Sequence, residues 1–337
     1  MASYNFAGSR MANCAFKRLL VAAPRGFCAG VQRAVSTVET AISICGPPVY
    51  VRKQIVHNRH VVDRLRQLGA IFVDELSEVP GGANVIFSAH GVSPEVRKSA
   101  ELRGMQVIDA TCPLVTKVHL EALLYNKVGL SVLLIGYPGH EEVEGVMGEL
   151  PGLVKLVTSV EDAESVQVTD PNKVGVITQT TLSLDDALEI MAVLRRRFTS
   201  IRTPAIDDIC YATQNRQAAV RVIAAQAEVV VVFGSPNSSN ANRLCEIARN
   251  SGAAAWLVED INALDVAKFE PVNTLGLTAS ASTNESIVQQ SLSVLGLHGF
   301  VNVSEVSIAN EKVTFSLPTR LTSASLVSIQ DLRSSGT

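Results

Sequence analysis

Short apolar runs alternate with amphipathic segments along most of the chain, from Leu19 to about Leu297. Brief β-branched runs predict buried strands, and the longer segments between them predict helices because their apolar positions recur with helical spacing. The predicted strands span 19–23, 49–52, 71–73, 84–88, 106–109, 131–135, 155–158, 174–178, 201–206, 229–233, 254–258 and 273–278. Strands that alternate with helices form parallel sheets, so the pattern predicts an α/β protein with too many strands for one small sheet.

Capping residues mark three of the predicted helix starts. Asn58 precedes an apolar face, Ser93 precedes a proline, and Ser183 precedes a segment with two aspartates in its first turn. Asparagine and serine side chains accept the free amide protons of a first helical turn, and proline suits the first helical position. We therefore predict helices that begin directly after these three residues.

Three cysteines occupy matching places in this pattern. Cys28, Cys112 and Cys210 each stand between a predicted strand and a predicted helix, at similar intervals along the chain. Open α/β sheets bind ligands at the carboxyl ends of their strands. We predict three similar α/β lobes with small, mostly parallel four-stranded sheets, arranged as a pseudo-threefold trefoil around the three cysteines. The predicted ranges are 1–18 for a leader, 19–112, 113–209 and 210–300 for the lobes, and 301–337 for a C-terminal extension and tail. In the alternative assignment, the first strand joins the third lobe.

Composition and charge narrow the class of partner. The 337 residues include 29 basic and 32 acidic side chains, which give a formal net charge of −3. Without a block of Lys and Arg, the chain lacks the field that nucleic acid or an anionic membrane surface requires. No apolar run approaches the roughly 18 residues that cross a bilayer. We therefore expect a small-molecule partner and neither nucleic acid nor membrane. Six dispersed cysteines indicate a reducing, cytoplasmic compartment.

The position of the three matched cysteines favours metal binding. A thiolate at a helix N-terminus is stabilised by the partial positive charge there, which lowers the pKa of the thiol. Three such thiolates would suit an iron–sulfur cluster with one iron that has no protein ligand. For any single cysteine, the alternative is a small buried apolar residue. That alternative is the prediction for Cys14, Cys45 and Cys245.

Polar side chains follow several other predicted strands. His57, His90 and His140 come after three of them, and turns rich in serine and asparagine cover 235–240 and 279–283. Helix N-termini with hydroxyl groups bind anions such as phosphate, and histidine donates hydrogen bonds and transfers protons near neutral pH. Ordinary helix capping uses the same residue types and is the alternative for either turn alone.

Several familiar motifs do not occur in the sequence. It contains no G-x-G-x-x-G, no G-x-x-x-x-G-K-[ST] and no H-E-x-x-H, so nicotinamide, P-loop nucleotide and metalloprotease-type zinc sites lose support. It also lacks the C-x-x-x-C-x-x-C run of radical S-adenosylmethionine enzymes. Electrons for any cluster would therefore come from an external donor.

Seven short segments form a specific combination along the chain: 24–31, 57–59, 87–92, 109–119, 178–183, 208–213 and 237–240. Together they resemble the 4-hydroxy-3-methylbut-2-enyl diphosphate reductases, which catalyse the last step of the methylerythritol phosphate route to isoprenoids. The resemblance extends from about residue 19 to about residue 297. It departs from the family pattern at Glu141, where the family usually has proline.

The resemblance implies a role for each residue that matches a family motif. Cys28, Cys112 and Cys210 would hold a [4Fe-4S] cluster with one open iron. The residues expected to bind diphosphate are His57, His90, His140, Ser238, Ser239, Asn240 and Ser282. The expected catalytic residues are Glu142, Thr180 and His140. Among them Glu142 would donate protons, and Thr180 would position the substrate hydroxyl or a water and relay a proton.

The reaction implied by the resemblance is reductive dehydroxylation of (E)-4-hydroxy-3-methylbut-2-enyl diphosphate. The allylic oxygen would bind the open iron, two electrons and protons would enter, and water would leave. The products would be isopentenyl and dimethylallyl diphosphate, and the electron donor would be a protein such as ferredoxin or flavodoxin. Because hydroxide is a poor leaving group, a Lewis acid and a carboxylic acid both lower the barrier.

Two other functions are compatible with a cluster in a diphosphate site. One is a [4Fe-4S] dehydratase that needs no external electrons, and the other is a sensor or binding module that recognises diphosphates without turnover. Only the reductase oxidises an artificial donor such as reduced methyl viologen when the substrate is added.

Overall fold

The computed structural model describes residues 17–204 and 207–322, which form thirteen strands and ten helices of six residues or more. The strands are β1 (Arg18–Ala23), β2 (Val49–Arg52), β3 (Ala70–Val73), β4 (Asn84–Phe87), β5 (Gln106–Asp109), β6 (Ser131–Ile135), β7 (Val154–Val157), β8 (Val174–Thr178), β9 (Ile201–Arg202), β10 (Val229–Phe233), β11 (Ala254–Val258), β12 (Thr274–Ala279) and β13 (Asn302–Ser307). The helices are α1 (Ala29–Cys45), α2 (Arg59–Gln67), α3 (Pro94–Leu102), α4 (Pro113–Lys127), α5 (Glu141–Glu149), α6 (Val160–Ser165), α7 (Leu184–Arg197), α8 (Tyr211–Ala224), α9 (Ser239–Asn250) and α10 (Glu285–Leu297). Most of the predicted leader and the end of the predicted tail lie outside the described residues.

The strands form three separate sheets in which all pairings are parallel. The first sheet has the order β3-β2-β4-β5, the second β7-β6-β8-β9, and the third β11-β10-β12-β1-β13. Each sheet therefore repeats one order of four strands, and β1 takes the fourth place in the third sheet. The predicted α/β class and the trefoil of three lobes are confirmed.

Two details of the predicted sheets are wrong. The third sheet has five strands rather than four, because β13 pairs with the outer edge of β1. Most residues of β13 are exposed, so no apolar run marks this strand in the sequence. Of the strand predicted at 201–206, Ile201–Arg202 is formed and 203–204 is not, because Pro204 lacks the amide proton that a sheet requires. Residues 205 and 206 lie outside the described residues.

The predicted helix starts are confirmed. The side chains of Asn58, Ser93 and Ser183 each accept a hydrogen bond from an amide in the first turn of the helix that follows. Their helices are α2, α3 and α7. Local capping chemistry therefore sets these boundaries, as the residue types indicate.

The chain passes from one lobe to the next at each of the three matched cysteines. Cys28, Cys112 and Cys210 are the N-cap residues of α1, α4 and α8. Each cysteine follows the fourth strand of one sheet, and the helix that it begins packs in the core of the next lobe. We propose the lobe ranges given above, with β1 assigned to the third lobe.

The segment after β13 crosses the molecule back to the first lobe. Glu311 forms an ion pair with Arg216 of α8, and the carbonyl of Ser316 accepts a hydrogen bond from Arg33 of α1. Leu321 is buried in the core of the first lobe. Within 17–204 and 207–322, the helices are all too short or too polar to cross a membrane.

Candidate functional site

A cavity of about 110 Å³ lies among the loops that follow strands of all three sheets. It occupies the carboxyl ends of the strands, where α/β sheets bind ligands. The cavity is lined by every residue that the sequence predicts for the site: Cys28, His57, His90, Cys112, His140, Glu142, Thr180, Cys210, Ser238, Ser239, Asn240 and Ser282. The roles of these residues remain predictions, but their assembly around one cavity is observed.

The three cysteines that line the cavity, here called the cysteine group, are fixed by equivalent backbone bonds. The amide of each cysteine donates to a carbonyl in the loop after the third strand of the same sheet. The bonds join Cys28 to Ala281, Cys112 to Ala89 and Cys210 to Thr180, at 3.2, 3.0 and 3.1 Å. The repeated topology therefore brings three cysteines that are distant in sequence to one position in space.

Gly30, in the first turn of α1, leaves room for the sulfur atoms of Cys112 and Cys28. A Cβ atom on this residue would lie 2.7 Å from the sulfur of Cys112 and 3.8 Å from the sulfur of Cys28. The shorter contact is closer than packed atoms allow, so any larger residue would displace Cys112. All three members of the cysteine group are free thiols.

Burial determines the protonation of two of these thiols. It raises the pKa of Cys112 to about 12 and that of Cys210 to about 11, and the neighbouring cysteines add to both increases. The expectation that helix N-termini lower these pKa values is wrong for Cys112 and Cys210, because desolvation outweighs the helix dipole. A cation among the sulfur atoms would reverse the balance, since bound metal deprotonates thiols.

Three histidines form a second set of side chains in the cavity, here called the histidine group. The ring of His57 stacks on that of His90 with centroids 4.2 Å apart, and His140 contacts both rings edge-on at 5.6 and 5.8 Å. Burial lowers the pKa of His57 to about 3 and that of His140 to about 4. At neutral pH these two rings are therefore uncharged, and each can donate one hydrogen bond.

The hydrogen bonds of His140 define its tautomer. Its Nδ1 atom accepts a bond from the amide of Glu142 at 3.2 Å, at the start of α5. Because an accepting ring nitrogen carries no proton, we assign the proton of the neutral ring to Nε2. His140 therefore caps the helix with one nitrogen and has the other as a donor.

Glu141 is a partner of the histidine group that the sequence did not reveal. Its Oε2 atom lies 2.9 Å from Nδ1 of His90. Burial alone would raise the pKa of the Glu141 carboxyl, but the hydrogen bond to His90 and the electrostatic attraction of that ring hold it below its usual value. An ionised carboxylate on Nδ1 keeps the proton on that nitrogen and orients the ring. In the sequence, Glu141 was visible only as a departure from the family pattern.

Glu142 is a buried carboxyl group whose partner is Thr180. The amide of Thr180 donates to Oε1 at 2.7 Å, and its hydroxyl donates to Oε2 at 2.9 Å. Burial raises the pKa of Glu142 to about 7, although the two bonds from Thr180 act against the increase. About half of this group is thus protonated at neutral pH, which suits a general acid.

The first turn of α9 contains a buried side chain, Asn240, whose polar atoms have no hydrogen-bond partner among the described residues. Ser238 is the N-cap, and its hydroxyl accepts a bond from the amide of Ala241 at 3.3 Å. Asn240 is only 4% exposed, yet neither its Nδ2 nor its Oδ1 atom has a hydrogen-bond partner among the described residues. Buried amides without partners are rare because they are costly. Asn240 therefore indicates that a polar ligand occupies this part of the cavity.

Serine and threonine hydroxyls connect the loops that line the cavity. Ser282 donates to the carbonyl of His57 at 3.0 Å, which connects the third and first lobes. The hydroxyls of Ser239 and Thr181 lie 3.3 Å apart and connect the third and second lobes. The loops that line the cavity therefore hold one another across the lobe boundaries.

Two of the remaining cysteines, Cys45 and Cys245, lie away from this cavity. Cys245 is buried in the core of the third lobe, and Cys45 is exposed at the end of α1. Cys14 lies outside the described residues. The prediction of a small buried apolar residue is confirmed for Cys245 and wrong for Cys45, because the last turn of α1 is exposed.

Comparison with known proteins gives a consistent picture. The family described as LytB protein matches residues 19–296. A 4-hydroxy-3-methylbut-2-enyl diphosphate reductase from Acidothermus cellulolyticus is 54% identical over 306 residues, which cover 90% of each chain. The reductase of the same name from Nocardia farcinica is 53% identical and covers 90% of this chain and 91% of its own.

A solved structure supports the same similarity. The E-1-hydroxy-2-methyl-but-2-enyl-4-diphosphate reductase from Plasmodium falciparum superimposes with a TM-score of 0.90 at 37% identity, covering 94% of this chain and 99% of that one. A second solved reductase, described as the terminal enzyme of the non-mevalonate pathway, has a TM-score of 0.61 at 32% identity and covers 83% of this chain and 99% of its own.

Proposed function

The chain belongs to the LytB protein family, and on this premise we propose that it reduces (E)-4-hydroxy-3-methylbut-2-enyl diphosphate in isoprenoid biosynthesis. The products are isopentenyl and dimethylallyl diphosphate. The observation that carries the proposal is the content of one cavity: three helix-capping cysteines, a carboxyl group with a pKa of about 7, and the polar groups of an anion site.

The cysteine group would hold a [4Fe-4S] cluster in which one iron has no protein ligand. Cys28, Cys112 and Cys210 are free and line the same cavity, and the missing Cβ of Gly30 leaves room for the sulfur atoms of Cys28 and Cys112. Three thiolates are a suitable donor set for such a cluster. When bound, the cluster would supply electrons and a Lewis-acidic iron.

The histidine group and the first turn of α9 would bind the diphosphate. His140 and Asn240 have donors that no described residue satisfies, and the free amides of α9 add partial positive charge. Ser238, Ser239 and Ser282 add hydroxyl groups, and His57 and His90 complete the set. Hydrogen-bond donors in a buried cavity suit the oxygens of a diphosphate.

Glu142 would donate the proton that converts the leaving hydroxyl into water. Its protonated form lies within hydrogen-bond distance of the Thr180 hydroxyl, which also lines the cavity. A hydroxyl accepts one hydrogen bond and donates another, so Thr180 can relay the proton and orient the substrate oxygen. His140, whose ring caps the helix at the amide of Glu142, holds this carboxyl in position.

The reaction requires a reductant. One substrate molecule takes up two electrons and two protons, loses its allylic oxygen as water and gives one molecule of either product, according to the end of the allylic system that is protonated. We expect a small electron-transfer protein such as ferredoxin or flavodoxin as the donor.

An anaerobic donor-oxidation assay tests the proposal. Protein with reconstituted iron and sulfide is mixed with reduced methyl viologen, and substrate is then added. Substrate-dependent oxidation with formation of both products supports the reductase. A dehydratase would convert the substrate without consuming donor, and a binding module would bind it without turnover, so background oxidation by protein with an intact cluster would refute the proposal.

A further inference from the structure

Each helix that begins at a cysteine of the cysteine group carries a basic residue in its second turn. The residues are Arg33 on α1, Lys117 on α4 and Arg216 on α8. Each of them contacts the loop that leads to a different cysteine of the group. The three contacts run in one direction around the group and form a closed ring.

Arg33 joins the helix of Cys28 to the loop of Cys112. Its guanidinium donates to the carbonyl of Thr111 at 3.0 Å and to that of Asp109 at 3.5 Å. Thr111 directly precedes Cys112, so this contact fixes the backbone beside the sulfur ligand. The third donor of Arg33 is bound by the carbonyl of Ser316 at 2.7 Å.

Lys117 joins the helix of Cys112 to the loop of Cys210. Its ammonium group lies 2.7 Å from Oδ1 of Asp208, whose side chain is 1% exposed. The other oxygen of this carboxylate accepts the amide of Thr178 at 2.9 Å, at the end of β8. A buried carboxylate with two donors is a rigid attachment point, because breaking either bond leaves charge without compensation.

Arg216 closes the ring from the helix of Cys210 to the loop of Cys28. It is fully buried and donates twice to the carbonyl of Gly26, at 2.8 and 3.2 Å. Its charge is balanced by Glu311 at 3.0 Å, on the segment that follows β13. The C-terminal extension therefore contributes to the geometry of the site.

We infer that Arg33, Lys117 and Arg216 are positioning residues that set the separations among the three cysteines. The amide bonds described above attach each cysteine to its own sheet, whereas these three side chains join each cysteine's helix to the loop of the next one. The inference rests on the proposed iron–sulfur site. It predicts that weakening the ring loosens the cofactor even when the fold is retained.

Lys117→Gln and Arg33→Gln test the inference in the holoenzyme, because both side chains are partly exposed and their loss leaves the cores intact. Arg197→Gln is the matched control: this arginine also donates to backbone carbonyls, those of Ala163 and Val166, but in the second lobe away from the cysteines. Lys117→Arg retains the charge opposite Asp208. The readouts are iron per chain, the rate of cluster loss to a chelator, the reduction potential and the melting temperature of cluster-free protein.

We expect both glutamine variants to lose the cluster about fivefold faster than wild type, the effect of roughly one hydrogen bond. The melting temperature of Arg33→Gln should match that of Arg197→Gln, that of Lys117→Gln should be lower because Asp208 loses its charge partner, and Lys117→Arg should restore both stability and slow loss. The inference would be overturned if the glutamine variants had the same rates of cluster loss and the same reduction potentials as Arg197→Gln. It would also be overturned if, across all variants, the rate of cluster loss depended only on the melting temperature. If wild type bound iron and reduced the substrate, and the variants lost the cluster at the wild-type rate, the proposed function would be retained and the positioning role of the ring would be refuted.

Discussion

The cysteine group and the histidine group line the same cavity but are stabilised in different ways. The histidine rings contact one another, and two of them have a protein partner at Nδ1: Glu141 for His90 and the amide of Glu142 for His140. Nδ1 of His57 has no partner among the described residues. The sulfur atoms of Cys112 and Cys210 lie in surroundings that oppose the charge they need as metal ligands. Contacts within the protein therefore orient His90 and His140, whereas the ionisation of the Cys112 and Cys210 thiols depends on a bound cation.

This difference predicts two kinds of defect. A change in the cysteine group should remove the cofactor and all activity that depends on it. A change around the histidine group should leave the cofactor in place and alter affinity for the substrate. Glu142 belongs to neither group, and its replacement should affect the chemical step while both groups stay intact.

The largest effect is expected for Cys112→Ser, which removes the thiol that contacts Gly30. A serine hydroxyl does not ionise at this position, so iron should fall from about four atoms per chain to below about one. Reductase activity should become undetectable. Iron and sulfide determination after anaerobic reconstitution measures the loss.

Cys45→Ser is the control, since Cys45 is exposed and lies at the far end of α1. It should bind iron as wild type does. Full iron content in Cys112→Ser would mean that the cysteine group is not the ligand set.

Repetition of local patterns explains how much of this site the sequence predicted. Each cysteine follows a strand and begins a helix, and this arrangement is readable residue by residue because strand ends and N-caps are local features. The convergence of the three cysteines follows from topology: equivalent strands occupy equivalent places in three sheets. Matched positions in the sequence therefore became neighbours in space.

Features that depend on distant partners were not predictable. β13 is polar and exposed and is a strand only because the edge of β1 is available to it. The pair of Glu141 with His90 and the pair of Lys117 with Asp208 join segments that are far apart in the chain. The raised pKa values of Cys112 and Cys210 follow from burial, which a capping position does not reveal.

Glu142→Gln should cause the second-largest effect, without loss of iron. Glutamine retains an acceptor for the amide of Thr180 but cannot donate a proton as an acid, so turnover should fall about 10²- to 10⁴-fold. Steady-state methyl viologen oxidation measures the change. Glu144→Gln, an exposed change in the same helix turn, should keep full turnover. Full activity in Glu142→Gln would assign the acid role to another group.

The pH dependence of wild-type turnover should follow the same carboxyl group. Because burial raises its pKa to about 7, Glu142 is protonated below that pH and ionised above it. Proton donation should thus weaken as pH rises through about 7, with kcat/KM falling about tenfold per unit beyond it, since kcat/KM reports ionisations of the free enzyme. The profile is measured with a donor whose potential is held constant. A kcat/KM that stays level from about pH 6 to about pH 9 would contradict this assignment.

Asn240→Ala should reduce substrate affinity and spare the cofactor. The amide side chain has no partner among the described residues, so its hydrogen bonds are available to the diphosphate. Loss of one or two such bonds to a charged group corresponds to about a tenfold increase in KM. Kinetics at saturating donor separate KM from kcat. Asn250→Ala, at the exposed opposite end of α9, should leave KM unchanged. An unchanged KM in Asn240→Ala would remove this residue from the diphosphate site.

Glu141→Gln should give the smallest effect and reveal how the histidine group is tuned. Glutamine can still accept the bond from Nδ1 of His90, but it lacks the negative charge that strengthens this bond. It also removes a negative charge near the bound diphosphate, which partly compensates. We expect a KM increase of about threefold with iron content and kcat unchanged. The loss of the charge-assisted bond between Glu141 and His90 should outweigh the relief of repulsion between Glu141 and the diphosphate. Substrate titrations at low and high salt measure it. A lower KM would mean that repulsion dominates, and a loss of kcat like that of Glu142→Gln would mean that the two adjacent glutamates share the acid role.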